Sequence, residues 1–335
     1  MKAAVLTHYD KKGTDLEIRD IAVPVPEDDE VLVKMMAAAV NPLDNMIIRG
    51  EVKLIVPYKM PLVMGNEFAG VVEKTGKNIS RFKKGDRVYG RMPLKKIGAF
   101  AQYAAVKASA LAIIPEYLSF EEATTVPLTA LTAMQAFDIM HVHAGESVFI
   151  SGGTGSLGAM AIPVAKSLGL HVYTNGSGSN EERVRKLGAE KFIDYKKENY
   201  SDVISDVDHV LDTLGDRELP NEFKILKEGG NLVSLRGLPN GRFAQRSGMS
   251  FFKRLLFKMA GSKYDKMAAK KNQTYDFIFV HEDGSQLEQI GQLFDQAHPL
   301  ETSIDTVFTL EEINKALTKV KQGKSKGKTI IKIGE

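Results

Sequence analysis

Ser147-Val148-Phe149-Ile150-Ser151-Gly152-Gly153-Thr154-Gly155-Ser156-Leu157-Gly158 decides how this 335-residue chain is read. The first five residues form an apolar strand, and the glycines that follow keep the spacing Gly-x-Gly-x-x-Gly from Gly153 through Gly155 to Gly158. An amphipathic helix, Leu157–Leu168, then runs to Gly169. In that setting each glycine has a task. Gly153 permits a tight turn, Gly155 lets the backbone approach a pyrophosphate, and Gly158 lets the helix pack close to the sheet. The helix start adds unsatisfied N–H groups and a partial positive charge, which suit phosphate. Gly153, Thr154, Gly155, Ser156, Leu157 and Gly158 are therefore candidate contacts to a dinucleotide.

Strand and helix alternate beyond the loop. His171–Thr174, Phe192–Asp194, His209–Asp212 and Asn231–Leu235 read as strands, with helices over Asn180–Leu187 and Leu219–Lys227, the latter closed by Gly229-Gly230. This alternation is the pattern of a doubly wound parallel α/β sheet with helices on both faces. An NAD site usually ends its second strand with an acid that binds the ribose 2′-hydroxyl. Here that stretch is Val172-Tyr173-Thr174-Asn175-Gly176-Ser177, and no acid follows until Glu181. Thr174 and Ser177 can hydrogen-bond a 2′-phosphate without repelling it. Arg183 can pair with that phosphate or sit solvated on its helix. NADP(H) is favoured over NAD(H).

Working towards the termini, short turn-bounded strands fill residues 1–115: Met1–Leu6, Leu16–Asp20, Val31–Ala39, Phe68–Lys74, Asp86–Tyr89, Phe100–Val106 and Leu111–Ile114. Such a set suggests a small barrel or sandwich. Helices are expected over Phe120–Thr125 and Thr129–His141. The tail reads as a strand at Tyr275–Val280, a helix at Gln286–Gln296, a strand at Thr306–Phe308, a helix at Leu310–Gln322 and a strand at Thr329–Ile333. The chain has no cysteine, which excludes disulfides, thiol nucleophiles and thiolate zinc sites. His141 and His143 would not share one face of a strand or helix, so a metal pair there is not expected. No apolar run reaches the roughly 18 residues of a membrane span. The apolar stretch at the N-terminus is too short for a signal peptide, so a cytoplasmic protein is the default expectation.

These motifs fall in register with a known family. The chain resembles the medium-chain dehydrogenase/reductase superfamily over essentially its full length, most closely its zinc-free quinone oxidoreductase branch. The segments that carry the resemblance are Ala39-Val40-Asn41-Pro42-Leu43-Asp44, Gly65-Asn66-Glu67-Phe68-Ala69-Gly70, Lys84-Gly85-Asp86-Arg87-Val88, Gly98-Ala99-Phe100-Ala101-Gln102-Tyr103, Leu131-Thr132-Ala133 and Gly145-Glu146-Ser147-Val148. The glycine loop, Leu187-Gly188-Ala189, Ile193-Asp194-Tyr195 and Gly327-Lys328 continue the series. The resemblance implies a GroES-like β-barrel domain from residues 1–122 and 283–335 and a Rossmann domain from 123–282. It also implies a homodimer, and a nicotinamide facing the barrel residues. Tyr195 and Leu235 join the candidate cofactor contacts.

In zinc-dependent members of this family the metal is held by a Cys and a His from two of these motifs. The matching positions here are Asn41 and Asn66, and neutral amides are poor zinc ligands. Glu67 is expected to order the barrel turn or pair with a cation. Without a Lewis acid, direct alcohol oxidation is hard, whereas quinones and α,β-unsaturated carbonyls spread the incoming hydride's charge onto a remote oxygen. Asn41 is the candidate donor to that oxygen, or else caps the Asn-Pro turn. Asp44 would bind the nicotinamide-side ribose or start the following helix. Thr132 matches a residue on the nicotinamide side, or is a core threonine. One departure stands out. Some enone reductases of the family carry an aromatic-plus-Lys pair just after the Asp, where this chain reads Asp44-Asn45-Met46. Tyr58 or solvent would then supply the proton. A non-catalytic NADPH-binding partner is the alternative reading.

The net charge of +3 hides an asymmetry. Residues 240–272 hold nine Lys or Arg against the single acid Asp265, a local +8 that leaves the rest of the chain at −5. Nucleic-acid binding is disfavoured by that acidic body. Within the segment, Phe251, Phe252, Leu255, Leu256 and Met259 share one helical face, with Lys253, Arg254 and Lys258 around it. The expected arrangement packs the apolar face on the substrate cleft. The alternative is a weak peripheral contact of residues 250–271 with an anionic membrane.

Overall fold

Turn-bounded apolar runs become paired strands in a computed structural model that describes residues 1–11, 13, 15–294, 299–300, 302–323 and 327–334. In chain order the first elements are β1 (Lys2–Leu6), β2 (Glu17–Asp20), β3 (Glu30–Val40), α1 (Pro42–Ile48), β4 (Leu62–Val63), β5 (Glu67–Thr75), β6 (Arg87–Arg91), β7 (Tyr103–Lys107), β8 (Leu111–Ile113), α2 (Phe120–Ala123) and α3 (Pro127–Met140). The alternating region follows: β9 (Ser147–Ile150), α4 (Ser156–Ser167), β10 (His171–Gly176), α5 (Glu181–Lys186), β11 (Lys191–Asp194), α6 (Tyr200–Val203), β12 (Val207–Asp212), α7 (Leu219–Ile225), β13 (Leu226–Ser234), α8 (Gly241–Arg246), α9 (Phe251–Ala269) and β14 (Thr274–Phe277). The chain closes with α10 (Gly284–Leu293), β15 (Ile304–Thr309), α11 (Ile313–Gln322) and β16 (Lys328–Lys332).

Two units result, Met1–Leu131 with His281–Glu335, and Thr132–Val280. The first division falls nine residues later than the 122/123 boundary read from the sequence. The physical reason is the start of α3: the Leu128 N–H donates to Glu67 Oε2 at 2.7 Å, which ties that first turn to the strands. In the first unit a sheet of order β15-β16-β3-β5-β6-β8, with β7 on β3, accompanies a smaller sheet of order β2-β1-β4. β3 is buried along nearly its whole length because it pairs with β5, β7 and β16. Its Ala37-Ala38-Ala39 run leaves room for that crowding.

The second unit is a six-stranded parallel sheet of order β11-β10-β9-β12-β13-β14. The chain leaves β9 for β10 and β11, then returns to the other side of β9 to lay down β12. The strand order therefore reverses at β9, and ligands of open α/β sheets bind at the C-terminal ends of strands at such a reversal. Phe149, Val210, Leu232, Phe223 and Tyr275 are among its buried core residues.

Three sequence expectations change. The pair Gly229-Gly230 lies inside β13 and does not close the preceding helix, which ends at Ile225. The helix expected over 286–296 starts at Gly284 and is described to Leu293; residues 295 and 296 lie outside the described residues. The basic segment is the largest change. α9 buries Phe257, Gly261, Tyr264 and Ala268, and Phe251, Phe252, Leu255, Leu256 and Met259 are all exposed. The apolar face expected to pack inward faces solvent, because a second face at i, i+4, i+7 and i+11 makes the contacts with α8, Asn240 and β14.

Candidate functional site

The glycine loop is built as its spacing requires. Gly152 adopts φ +69° and turns the chain out of β9. A Cβ on Gly158 would lie 2.3 Å from Gly153 Cα, so α4 can start this close to the strand only with glycine at both positions. A Cβ on Gly155 would meet one neighbouring atom, Gly152 O at 3.4 Å, so its outward side is open. Gly155 and Ser156 are exposed at the start of α4, and Thr154 and Leu157 are half-buried beside them. The loop therefore presents backbone N–H groups to solvent at a helix N-terminus, a fit for pyrophosphate.

The end of β10 corrects one assignment. Thr174 is fully buried, its hydroxyl donates to Ile150 O at 2.6 Å, and it lies under Gly153. It supports the loop from beneath and is not presented to a 2′-phosphate, because in this register its side chain points into the unit. Its neighbour Asn175 was missed by sequence reasoning. Asn175 Oδ1 accepts from Gly152 N at 2.8 Å and its carbonyl accepts from Gly153 N at 3.1 Å, which fixes the loop to β10. Ser177 is half-buried, with its hydroxyl 3.3 Å from that of Ser179. Tyr195 is 59% exposed and its N–H donates to Gly176 O at 3.2 Å. Arg183 lies in the first turn of α5, half-buried. An acid does stand in this corner after all. Asp194 lies next to Gly178, where a Cβ would come within 2.4 Å of its carboxylate, and Lys197 lies 3.9 Å away. The sequence signal is the terminal Asp of Lys191–Asp194, one strand beyond the β10 end at which an NAD site usually has its acid.

Leu235 follows β13, its N–H donating to Asp212 O at 3.0 Å. Asp212 fastens the ends of β12 and β13. Its Oδ1 accepts from Leu214 N and Gly215 N, both at 2.7 Å, and its Oδ2 from the Ser234 hydroxyl at 2.5 Å. Glu222 is buried beside Asp212 and Ser151. Burial and the Asp212 charge push its carboxyl well above the ordinary range.

The first unit holds a buried polar cluster around Asn41. Asn41 Nδ2 donates to Glu67 Oε1 at 2.7 Å and to Ala39 O at 3.3 Å, and its Oδ1 accepts from Lys328 Nζ at 2.8 Å. Lys328 Nζ also pairs with Glu67 Oε1 at 2.5 Å. Glu67 thus pairs with a cation, one of the two roles foreseen for it, and also accepts from the Leu128 N–H at the start of α3. Of the two readings of Asn41 the structure favours the cap: it is the N-cap of α1, and both N–H bonds of its amide are engaged, so it positions Glu67 and has none to spare for an incoming oxyanion. Asp44 is likewise turned inward. It is fully buried and accepts from Asn41 N and from Asn66 Nδ2, both at 2.7 Å. It starts α1 and is not presented to a ribose. Burial pushes its carboxyl up to about 7. Thr132 is buried on α3.

Two further groups border this cluster. Arg91 is fully buried at the end of β6, donates from Nη1 to Met92 O at 2.5 Å, and lies 3.7 Å from Glu282. Its Nε and Nη2 are buried without a hydrogen-bond partner. Sequence reasoning missed it, since an Arg after Val-Tyr-Gly carries no motif of its own. Tyr58 donates its hydroxyl to Leu94 O at 2.9 Å, and burial pushes that hydroxyl up to about 12, a poor proton donor. The residues at the would-be zinc positions do not fit the metal. Asn41 and Asn66 are neutral amides, and Glu67 is already paired with an ammonium group. Among the described residues no three His, Cys, Asp or Glu side chains group to hold an ion.

Comparison with known proteins gives concordant matches. Residues 27–116 match the alcohol dehydrogenase GroES-like domain, and residues 187–331 match the zinc-binding dehydrogenase family. A 2-methylene-furan-3-one reductase of Solanum lycopersicum is 35% identical over 266 residues, which are 76% of this chain and 68% of the relative. A chloroplastic NADPH-dependent alkenal/one oxidoreductase of Arabidopsis thaliana is 35% identical over 272 residues, again 76% and 68%. A solved quinone oxidoreductase of Coxiella burnetii is similar with a TM-score of 0.81 at 26% identity, covering 99% of each chain.

Proposed function

This chain belongs to the medium-chain dehydrogenase/reductase superfamily, in its quinone oxidoreductase branch, and from that premise we propose that it reduces quinones or α,β-unsaturated carbonyls with NADPH and without a catalytic metal. The observation that carries the metal-free part is the donor set, with Asn41 and Asn66 at the ligand positions and Glu67 bound to Lys328.

Bound NADPH supplies a hydride from its nicotinamide C4. The chain's own residues do the rest. The exposed start of α4 would hold the pyrophosphate, and Ser177, Arg183 and Tyr195 would receive the 2′-phosphate, with Lys197 offsetting Asp194. As hydride arrives, negative charge collects on the acceptor's remote oxygen. Arg91 is as fully buried as Asp44 and offers that oxygen no hydrogen bond, but its guanidinium and the Lys328 ammonium set a positive field in a low-dielectric setting. Asn41, Asp44 and Asn66 act as positioning residues that hold Glu67 and Lys328. Thr132 remains the nicotinamide-side candidate. With the Tyr58 hydroxyl pushed up to about 12, the proton comes from solvent.

Among the described residues no helix is long and apolar enough to cross a membrane. The cysteine-free composition suits a cytoplasmic enzyme, and β14, at the edge of its sheet, offers a strand to a second copy in a homodimer. The test is an acceptor panel of ortho-quinones and 2-alkenals run with NADPH and with NADH, followed at 340 nm. NADPH oxidation well above the enzyme-free rate is expected. Tight NADPH binding with no oxidation by any acceptor would replace the enzyme with a binding protein.

A further inference from the structure

The outward face of α9 has no part in hydride transfer, yet it is the largest apolar display on the chain's most basic segment. The helix is fixed from its inner side. Phe257 meets Phe243 edge-on with centroids 6.1 Å apart, the Tyr264 ring lies 5.0 Å from that of Tyr275, and a Cβ on Gly261 would lie 2.4 Å from Asn240 Cβ. Turning α9 over would break all three contacts, so its other face stays outside. That face begins with Phe251, Phe252, Leu255, Leu256 and Met259, which are 74%, 81%, 49%, 46% and 69% exposed. At 100° per residue Lys263, Lys266 and Lys270 continue the same side, with Arg254 and Lys258 along one margin, and all five are exposed.

We propose that α9 docks flat on an anionic lipid bilayer, with the five apolar side chains at the acyl boundary and the lysines among the headgroup phosphates. Charge complementarity selects this occupant. The outward side of α9 and its margin carry Arg254, Lys258, Lys263, Lys266 and Lys270, so a two-fold contact between copies through this patch would set these five cations against five more. A nucleic acid would take the cations but leave five apolar side chains in water. A bilayer of anionic lipid satisfies both halves of the helix. Docking would also bring the enzyme to the phase in which lipophilic acceptors dissolve. That consequence rests on the proposed acceptor class, whereas the docking does not.

Flotation of the full-length protein on phosphatidylcholine vesicles, with and without phosphatidylglycerol, tests the proposal. Co-flotation with the anionic vesicles is expected, with little on neutral ones and a loss at high salt. The double variants Phe252→Glu/Leu256→Glu and Lys263→Glu/Lys266→Glu should each reduce it by at least about tenfold. All four positions are exposed, so melting temperature and NADPH oxidation with a water-soluble acceptor should match the wild type. Wild-type protein that fails to float, that floats equally on neutral vesicles, or whose flotation survives both variants would overturn the proposal. So would light scattering that shows a dimer dissociated by Phe252→Glu/Leu256→Glu without any flotation, since the occupant would then be a second copy.

Discussion

Arg91 and Asp44 show how individual residues carry burial for different ends. Unpartnered N–H bonds on a buried guanidinium cost stability, but Arg91 also pairs with Glu282, and removing one partner of such a pair is destabilising because the other charge is left uncompensated. Arg91→Met should therefore lower the melting temperature and cut kcat/KM for a quinone on the order of 10²-fold, whereas Arg91→Lys, which keeps the charge, should retain most of that activity. Equal losses of activity in both variants would make Arg91 a structural residue. Asp44 makes the opposite kind of prediction. Its carboxyl is raised to about 7 in the folded chain, so the folded state holds a proton that the unfolded chain releases near its ordinary value of 3.8. That contribution to stability is complete below the unfolded value and is lost as pH rises through about 7. Melting temperatures of wild type and Asp44→Asn, compared from pH 5 to 8, should show the wild-type advantage shrinking as pH rises. A constant difference would place the Asp44 titration outside this range.

At the level of elements, spacing in the sequence was a good guide to what the backbone does and a poor one to where side chains point. The glycine loop was legible because Gly153 and Gly158 are demanded by backbone contact alone. The role of Thr174 was not, since β10 decides by its register whether a hydroxyl faces a ligand or Ile150. α9 failed in the same way: its sequence offers two apolar faces, and only the packing of Phe257, Tyr264 and Gly261 chooses between them. The roles of Arg91, Asn175 and Asp194 were not legible, because each is set by a neighbour that only folding brings close: Glu282, the glycine loop and Gly178 respectively. The proposed 2′-phosphate site lies in the corner between β10 and α5. If Arg183 reads the 2′-phosphate, Arg183→Ala should raise KM for NADPH about tenfold, the worth of one charged hydrogen bond, and leave NADH unchanged. Equal changes for both cofactors would assign Arg183 to the support of α5.

For the molecule as a whole, two units divide the chemistry. The parallel sheet offers its glycine loop at the point where strand order reverses. The other unit has the amides Asn41 and Asn66 at the positions that match the family's metal ligands, with Glu67 paired to the Lys328 ammonium beside them. The absence of cysteine foreshadowed this, but the ammonium became evident only when Gly327-Lys328, near the C-terminus, was seen beside Glu67. Metal-free reduction is the claim on which the rest depends. It is tested most directly by measuring NADPH oxidation with an ortho-quinone on protein dialysed against a strong chelator, with metal content checked by plasma mass spectrometry. Turnover undiminished by stripping and unchanged on adding Zn²⁺ is the expected result; activity lost on stripping and restored in proportion to added Zn²⁺ would contradict it.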